Sequence, residues 1–140
     1  MKIRHLIALI LIGATVGAVY YFRGPIPDNR VQHNFVEASR RGDISAMEKL
    51  HSAGAVLDVP ASYEHGAVHS APPIYGAITS EHADAVRWLL KKGANHDVLM
   101  ATETPLDVAE YYLKKRPNSE ALRDIVADLK ARGAKRLSEI

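Results

Sequence analysis

The chain has 140 residues, of which 47% are hydrophobic, with 18 basic and 16 acidic residues, a net charge of +2 and no cysteine. This length suffices for one domain, and the lack of cysteine excludes disulfide frameworks and thiolate metal sites. Once residues 1–28 are set aside, the 18 basic and 16 acidic residues reduce to 15 of each. The remaining chain therefore carries no electrostatic footprint for nucleic acid.

The first predicted element is an apolar N-terminal segment at residues 1–23. An uncharged run of apolar or small residues extends from Leu6 to Phe22, at the low edge of the roughly 17–25 residues that a membrane-spanning helix needs. Three interpretations compete: a cleaved secretory signal, a retained signal anchor and a buried core helix. The run has no polar face, which disfavours a core helix, and it continues past the small residue Ala18, where cleavage could occur. We expect a single retained transmembrane helix at residues 3–22.

Basic residues on the two sides of this segment predict its orientation. Lys2, Arg4 and the amino terminus precede it, and Arg23 and Arg30 follow it, a modest bias towards a cytoplasmic N-terminus. In a bacterial-type cell the expected location is the inner membrane, crossed once, with the rest of the chain periplasmic. Cleavage of the segment would instead give a free periplasmic protein. Two prolines make residues 24–30 an extended spacer.

One pattern then recurs three times along the chain. A leucine, three intervening residues and Gly-Ala end each copy, and Gly54, Gly93 and Gly133 follow one another at intervals of 39 and 40 residues. Such a period is typical of stacked supersecondary units. Apolar residues at helical spacing on both sides of a short turn predict one helix-turn-helix unit in each copy. The predicted units are 31–59, 72–98 and 104–134.

Polar residues before the apolar stripes predict where several of these helices begin. Asp43 is the predicted N-cap of the second helix in the first unit, and Thr104, followed by a proline, begins the third unit. Asn118 or Ser119 is expected to cap the last helix. The tail, residues 135–140, is polar enough to fray.

These units resemble ankyrin repeats. Residues 72–97, PPIYGAITSEHADAVRWLLKKGANHD, are similar along their whole length to the ankyrin pattern of a Thr-Pro-Leu-His-like start, a Gly-His turn and a Val-Val, Leu-Leu, Gly-Ala finish. The stretch FVEASRRGDISAMEKLHSAGAVLDV matches the latter two thirds, and TPLDVAE and LKARGA match the two ends of the third copy. The resemblance covers about residues 34–134. It implies an all-α ankyrin-repeat solenoid of about three repeats, preceded by the transmembrane helix.

The resemblance also implies a surface that binds a partner protein, because repeat solenoids present their loops and first helices on an extended face. The 39-residue spacing exceeds the family period of about 33 and places extra residues in the loop after Val59. The next loop, after Asp97, is unusually apolar. The alternative for these side chains is that they complete a small core. The predicted partner-binding residues are Tyr63, Glu64, His65, Tyr75, Thr79, Leu99, Met100 and Tyr111.

Other side chains give weaker evidence of chemistry. His65 and His69 could begin a metal site, but His82 and His96 are the only further candidates nearby in sequence, so we expect no metal. No serine lies on a glycine-flanked elbow, and the chain has no glycine-rich phosphate loop. Trp88 follows the register of its helix and is expected to pack against the neighbouring unit or to lie at the surface.

The sequence therefore predicts a protein that binds another protein. We expect no enzyme activity, no cofactor and no small-molecule substrate. Two alternatives stay open for the function: an immunity or inhibitor protein against an envelope toxin, and a structural accessory that localises an envelope enzyme.

Overall fold

A computed structural model describes residues 28–61 and 71–140, and this part of the chain is helical. Its one β-type pairing is an isolated bridge between Met100 and Glu103. The all-α prediction is confirmed for these residues. The elements are α1 (Asn29–Arg41), α2 (Ile44–Ser52), α3 (Pro73–Thr79), α4 (Ala83–Lys92), α5 (Pro105–Lys115), α6 (Glu120–Ala131) and a 3₁₀ helix (Leu137–Glu139).

The helices form three consecutive hairpins, which we number 1 (α1 and α2), 2 (α3 and α4) and 3 (α5 and α6). Each predicted helix-turn-helix unit coincides with one of them, except that α1 begins two residues before the first unit. The first helices pack side by side, α1 on α3 and α3 on α5, and the second helices follow the same order, α2 on α4 and α4 on α6. The hairpins therefore stack in chain order as two helical layers.

Four of the six α-helices in the described part of the chain, α1, α2, α5 and α6, begin at residues whose side chains accept hydrogen bonds from the first turn. Asp43 accepts from the amide of Ala46 at 3.0 Å, as predicted. Thr104 and Asp107 form a reciprocal capping box at the start of α5, with bonds of 3.0 and 3.2 Å. Ser119 rather than Asn118 caps α6. These bonds satisfy amides that have no partner within the helix.

The core lies between the two layers. Phe35, Ile74 and Leu106, one from each first helix, are fully buried or nearly so. Trp88 on α4 is 9% exposed, and its ring centroid lies 6.2 Å from that of Phe35. It packs 5.9 Å from His51 of α2, edge to face. The expected packing of Trp88 against the neighbouring unit is confirmed.

Both ends of the described chain are more ordered than the pattern predicts. α1 begins at Asn29, two residues before the predicted start of the domain, because Asp28 accepts hydrogen bonds from its first turn. The prediction that residues 135–140 fray is wrong. Arg136 binds Glu110 of α5 at 2.7 and 2.9 Å, and the amide of Leu137 donates to Asp107 at 3.0 Å.

No helix in residues 28–61 and 71–140 is long and apolar enough to cross a membrane. The predicted anchor at residues 1–23 and the first four residues of the spacer lie outside the described residues. So do Tyr63, Glu64, His65 and His69 in the enlarged loop.

Candidate functional site

The loops that follow the three hairpins are joined to one another by a repeated contact. Asp58 in the first loop accepts a hydrogen bond from the amide of Asn95 in the second, at 2.9 Å. Asp97 in the second loop accepts one from the amide of Lys135 in the third, at 2.8 Å. Each aspartate lies four residues after the glycine that ends its own hairpin. The loops therefore form a connected row along one edge of the stack.

Burial makes the first of these aspartates unusual. Asp58 is half-buried, and this loss of solvent raises the pKa of its carboxyl group, while the bond from the Asn95 amide opposes the rise. A carboxylate that is partly removed from water is stabilised by such a donor. The second loop is therefore fixed against the first by a hydrogen bond to a half-buried carboxyl group.

Each loop is also held by the first helix of its own hairpin. The buried side chain of Gln32 on α1 donates to the carbonyls of Val56 and Val59, at 2.9 and 2.6 Å, and accepts from the amide of Val56. The hydroxyl of Tyr75 on α3 lies 2.6 Å from the carbonyl oxygens of Val98 and Glu103, either of which can accept the hydrogen bond that it donates.

Tyr75 is consequently not a surface residue. Only 1% of it is exposed, and burial raises the pKa of its phenol. Its prediction as a partner contact is wrong in this conformation, because a side chain without exposed area cannot touch a partner. The alternative of a core residue applies: Tyr75 positions the loop that carries Leu99 and Met100.

Leu99 and Met100 lie in a tight turn that we call the second loop tip, residues 98–103. The backbones of Met100 and Glu103 exchange two hydrogen bonds of 3.1 Å, and Ala101 between them has a left-handed φ of 55°. Met100 is half-buried against the core. Leu99 is 51% exposed. The second loop tip thus presents one large apolar side chain from a backbone that is bonded at both ends.

The two remaining predicted residues lie on first helices. Thr79, half-buried, is the last residue of α3, and its hydroxyl donates to the carbonyl of Gly76 at 3.2 Å. Tyr111 on α5 is 55% exposed. Its ring packs edge to face on Tyr112, and the ammonium of Lys115 lies 5.6 Å from its centroid. Tyr75 is thus bonded to the second loop tip, whereas Tyr111 contacts residues of its own helix.

The sequence patterns do not reveal the side chains that organise the row of loops. Gln32, Asp58 and Asp97 were not among the predicted site residues. One signal existed for the aspartates, since Asp58 and Asp97 are 39 residues apart, the same interval that separates the first two glycines. Gln32 left no signal, because its bonds reach 24 and 27 residues along the chain.

The described residues contain no group of three or more His, Asp and Glu side chains placed to hold a metal ion. His96 lies 3.5 Å from its neighbour Asp97.

No model of a known protein family matches this sequence, and a search of curated proteins gives no significant match.

Proposed function

We propose that this chain is a membrane-anchored protein of ankyrin-repeat type, which binds another protein through its row of loops. In this proposal the anchor is the apolar segment at residues 3–22, and the repeats face the periplasm. No catalysis, metal or cofactor is involved. Three features support the repeat assignment: the recurring Gly-Ala ends, the stacking of the hairpins in chain order, and the equivalent roles of Asp58 and Asp97.

The observation that carries the binding proposal is the exposed Leu99 on a fixed loop. Exposed leucines are common on protein surfaces and alone indicate little. Here the loop is held by Tyr75 from below and by the two bonds between Met100 and Glu103. Because the backbone is already ordered, binding does not incur the entropic cost of ordering this loop. Burial of its apolar area would add about 25 cal/mol per Å².

The proposed surface is centred on the second loop tip. Leu99 is its central apolar contact, with Met100 beneath it and Thr79 on the helix of the same hairpin. Tyr63, Glu64 and His65 belong to the preceding loop of the row and are proposed as its neighbours. Tyr111 is proposed as a contact from the first helix of hairpin 3.

Site-specific photo-cross-linking in the producing cell tests this proposal. A photoreactive residue replaces Thr102, which is exposed within the second loop tip. We expect one discrete adduct with a partner protein in the membrane fraction. The Leu99→Asp variant should reduce that adduct by about tenfold, since an unpaired charge buried in an interface costs more than 1.4 kcal/mol.

The matched control places the same photoreactive residue at Lys91, which is exposed on α4. It should give no adduct. Equal adducts at the two positions, or an adduct at Thr102 that persists in the Leu99→Asp variant, would show that the loop row is not the binding surface.

A further inference from the structure

A concave surface lies on hairpin 3, away from the row of loops. It is a groove of about 390 Å³ between α5 and α6. Its apolar floor is formed by Leu113, Pro117 and Val126. Its rim carries Glu110, Lys114, Arg123 and Lys130.

The groove faces away from hairpin 2. On α6, Asp124 and Asp128 point to α4, where they bind Arg87 at 2.9 and 2.7 Å. At 100° per residue, Arg123 and Val126 lie on the opposite side of that helix. The groove is therefore the surface on which a fourth hairpin would stack.

Charged residues at this surface oppose a fourth hairpin. Lys130 lies three residues before Gly133, and the residue three before Gly93 in hairpin 2 is Leu90, which is only 3% exposed. Glu110 is the sixth residue of α5, and the sixth residue of α3 is Ile78, which is fully buried. Lys130 and Glu110 form an ion pair of 2.7 Å across the groove. Terminal repeats characteristically carry such a polar outer face.

The rim nevertheless has an excess of positive charge. Glu110 is the one carboxylate in the lining, and it is shared by Lys130 and Arg136, each at 2.7 Å. Lys114 and Arg123 are exposed and have no ion pair among residues 28–61 and 71–140. An apolar floor below uncompensated cations is complementary to an apolar side chain flanked by carboxylates.

We propose that this groove binds a short segment of a partner protein in which one or two apolar side chains are flanked by acidic residues. Its volume lies at the low end of the roughly 300–1,000 Å³ of ligand pockets, which suits a few side chains rather than a folded element. Its concave shape favours a peptide over a lipid surface, since a flat bilayer would contact the rim cations and leave the floor unfilled. The proposal concerns hairpin 3 and is independent of the binding surface at Leu99.

Methyl NMR of the full 140-residue chain in nanodiscs of neutral lipid tests this inference. The probe is the blocked hexapeptide Glu-Glu-Leu-Leu-Glu-Glu. We expect saturable shifts of the Leu113 and Val126 methyl signals. The peptides Lys-Lys-Leu-Leu-Lys-Lys and Glu-Glu-Ser-Ser-Glu-Glu should bind about tenfold more weakly or not at all, because one removes the charge match and the other the apolar contact.

Charge reversal at the rim gives the matched variants. Lys114→Glu with Arg123→Glu should weaken binding of the acidic leucine peptide about tenfold, since exposed ion pairs are individually modest. Both side chains are exposed, so folding, checked by circular dichroism, should be unaffected. Lys49→Glu with Lys91→Glu makes the same change in net charge on α2 and α4 and should leave binding unchanged. The Leu99→Asp variant should also bind normally, which separates this site from the loop row.

Three results would overturn the inference. The first is an absence of shifts at Leu113 and Val126, or equal shifts with all three peptides. The second is binding to vesicles containing anionic phospholipid that depends on Lys114 and Arg123 while the peptide fails to bind, which would assign the rim to a membrane. The third is movement of the same methyl signals with protein concentration alone, which would assign the groove to a second copy of the chain.

Discussion

Gly42, at the turn of hairpin 1, is a residue whose missing side chain is structurally required. Its φ is +70°, and a Cβ at this position would lie 2.7 Å from Nδ1 and 2.8 Å from Cγ of His82. The ring of His82, in the turn of hairpin 2, therefore packs directly against Gly42 in the turn of hairpin 1. Both the backbone conformation and the close approach favour glycine.

We expect Gly42→Ala to lower the free energy of unfolding by about 2–4 kcal/mol. Left-handed backbone strain contributes about 1 kcal/mol and overpacking against His82 contributes about 1–3 kcal/mol. Gly133→Ala is the matched control, because its φ is +81° and no atom lies within 4 Å of the added carbon. It should show the strain alone in urea unfolding. Adding His82→Ala to Gly42→Ala should recover part of the difference, and no recovery would contradict a clash at His82.

Tyr75 shows at the same scale how one hydroxyl holds a loop. Tyr75→Phe keeps the buried ring and removes the hydroxyl that donates to the carbonyl of Val98 or Glu103. The loss should be about 1–2 kcal/mol, since one partly buried hydrogen bond is removed. Hydrogen exchange at the amides of Met100 and Glu103 should accelerate more than exchange in the helices. Tyr111→Phe, which removes an exposed hydroxyl, should change neither quantity; uniform acceleration in both variants would oppose the assignment.

At the scale of elements, carboxylates on α5 that bind the tail make the stability of hairpin 3 depend on pH. The hydrogen bond from Arg136, supported by Lys130, lowers the pKa of Glu110. Burial would raise the pKa of Asp107, but bonds from the amides of Thr104 and Leu137 outweigh it, and this pKa is also lowered. A lowered pKa means that the unfolded chain binds the proton more readily than the folded chain.

Stability from these two groups is therefore complete above their unfolded pKa values and is lost as pH falls through the folded ones. We expect the free energy of unfolding to decline as pH is lowered from about 5 towards 3, with release of the tail before the stack. Glu110→Gln should flatten this decline. Glu120→Gln, which removes an exposed carboxylate at the start of α6, should retain it. Identical pH profiles for the two variants, measured by urea titration, would exclude a role for the Glu110 cluster.

The same elements show what sequence patterns could and could not predict. Helix positions and the N-caps Asp43 and Thr104 follow from neighbours three or four residues apart, which local periodicity records. The order of the tail could not be predicted, because Arg136 finds Glu110 at a separation of 26 residues. The sequence leaves Tyr75 open between a partner contact and a core residue, because its burial depends on carbonyls 23 and 28 residues away. Leu99 is exposed, as an apolar residue in a loop without helical periodicity can be, but its role as a partner contact stays a prediction.

At the scale of the whole molecule, side chains on the second helices connect the hairpins. Trp88 joins hairpin 2 to hairpin 1, where its indole N–H donates to Glu48 at 3.4 Å. Arg87, one residue earlier, joins hairpin 2 to hairpin 3 through Asp124 and Asp128. These exposed ion pairs each contribute little to stability. Cohesion of the stack therefore comes mainly from the buried apolar surface between neighbours.

Three stacked hairpins are close to the smallest number of such units that buries a continuous core, so damage to one hairpin should unfold the others. Leu122 on α6 is fully buried, and Leu122→Ala should lower stability by about 2–5 kcal/mol. Trp88 is the single tryptophan and reports on the distant interface of hairpins 1 and 2. Its fluorescence should follow the same shifted urea transition as the far-ultraviolet circular dichroism. Ala127→Ser, exposed on the same helix, should shift neither signal by more than about 0.5 kcal/mol. A Trp88 transition that keeps its original midpoint in Leu122→Ala would mean that hairpins 1 and 2 fold without hairpin 3, and that their shared core suffices alone.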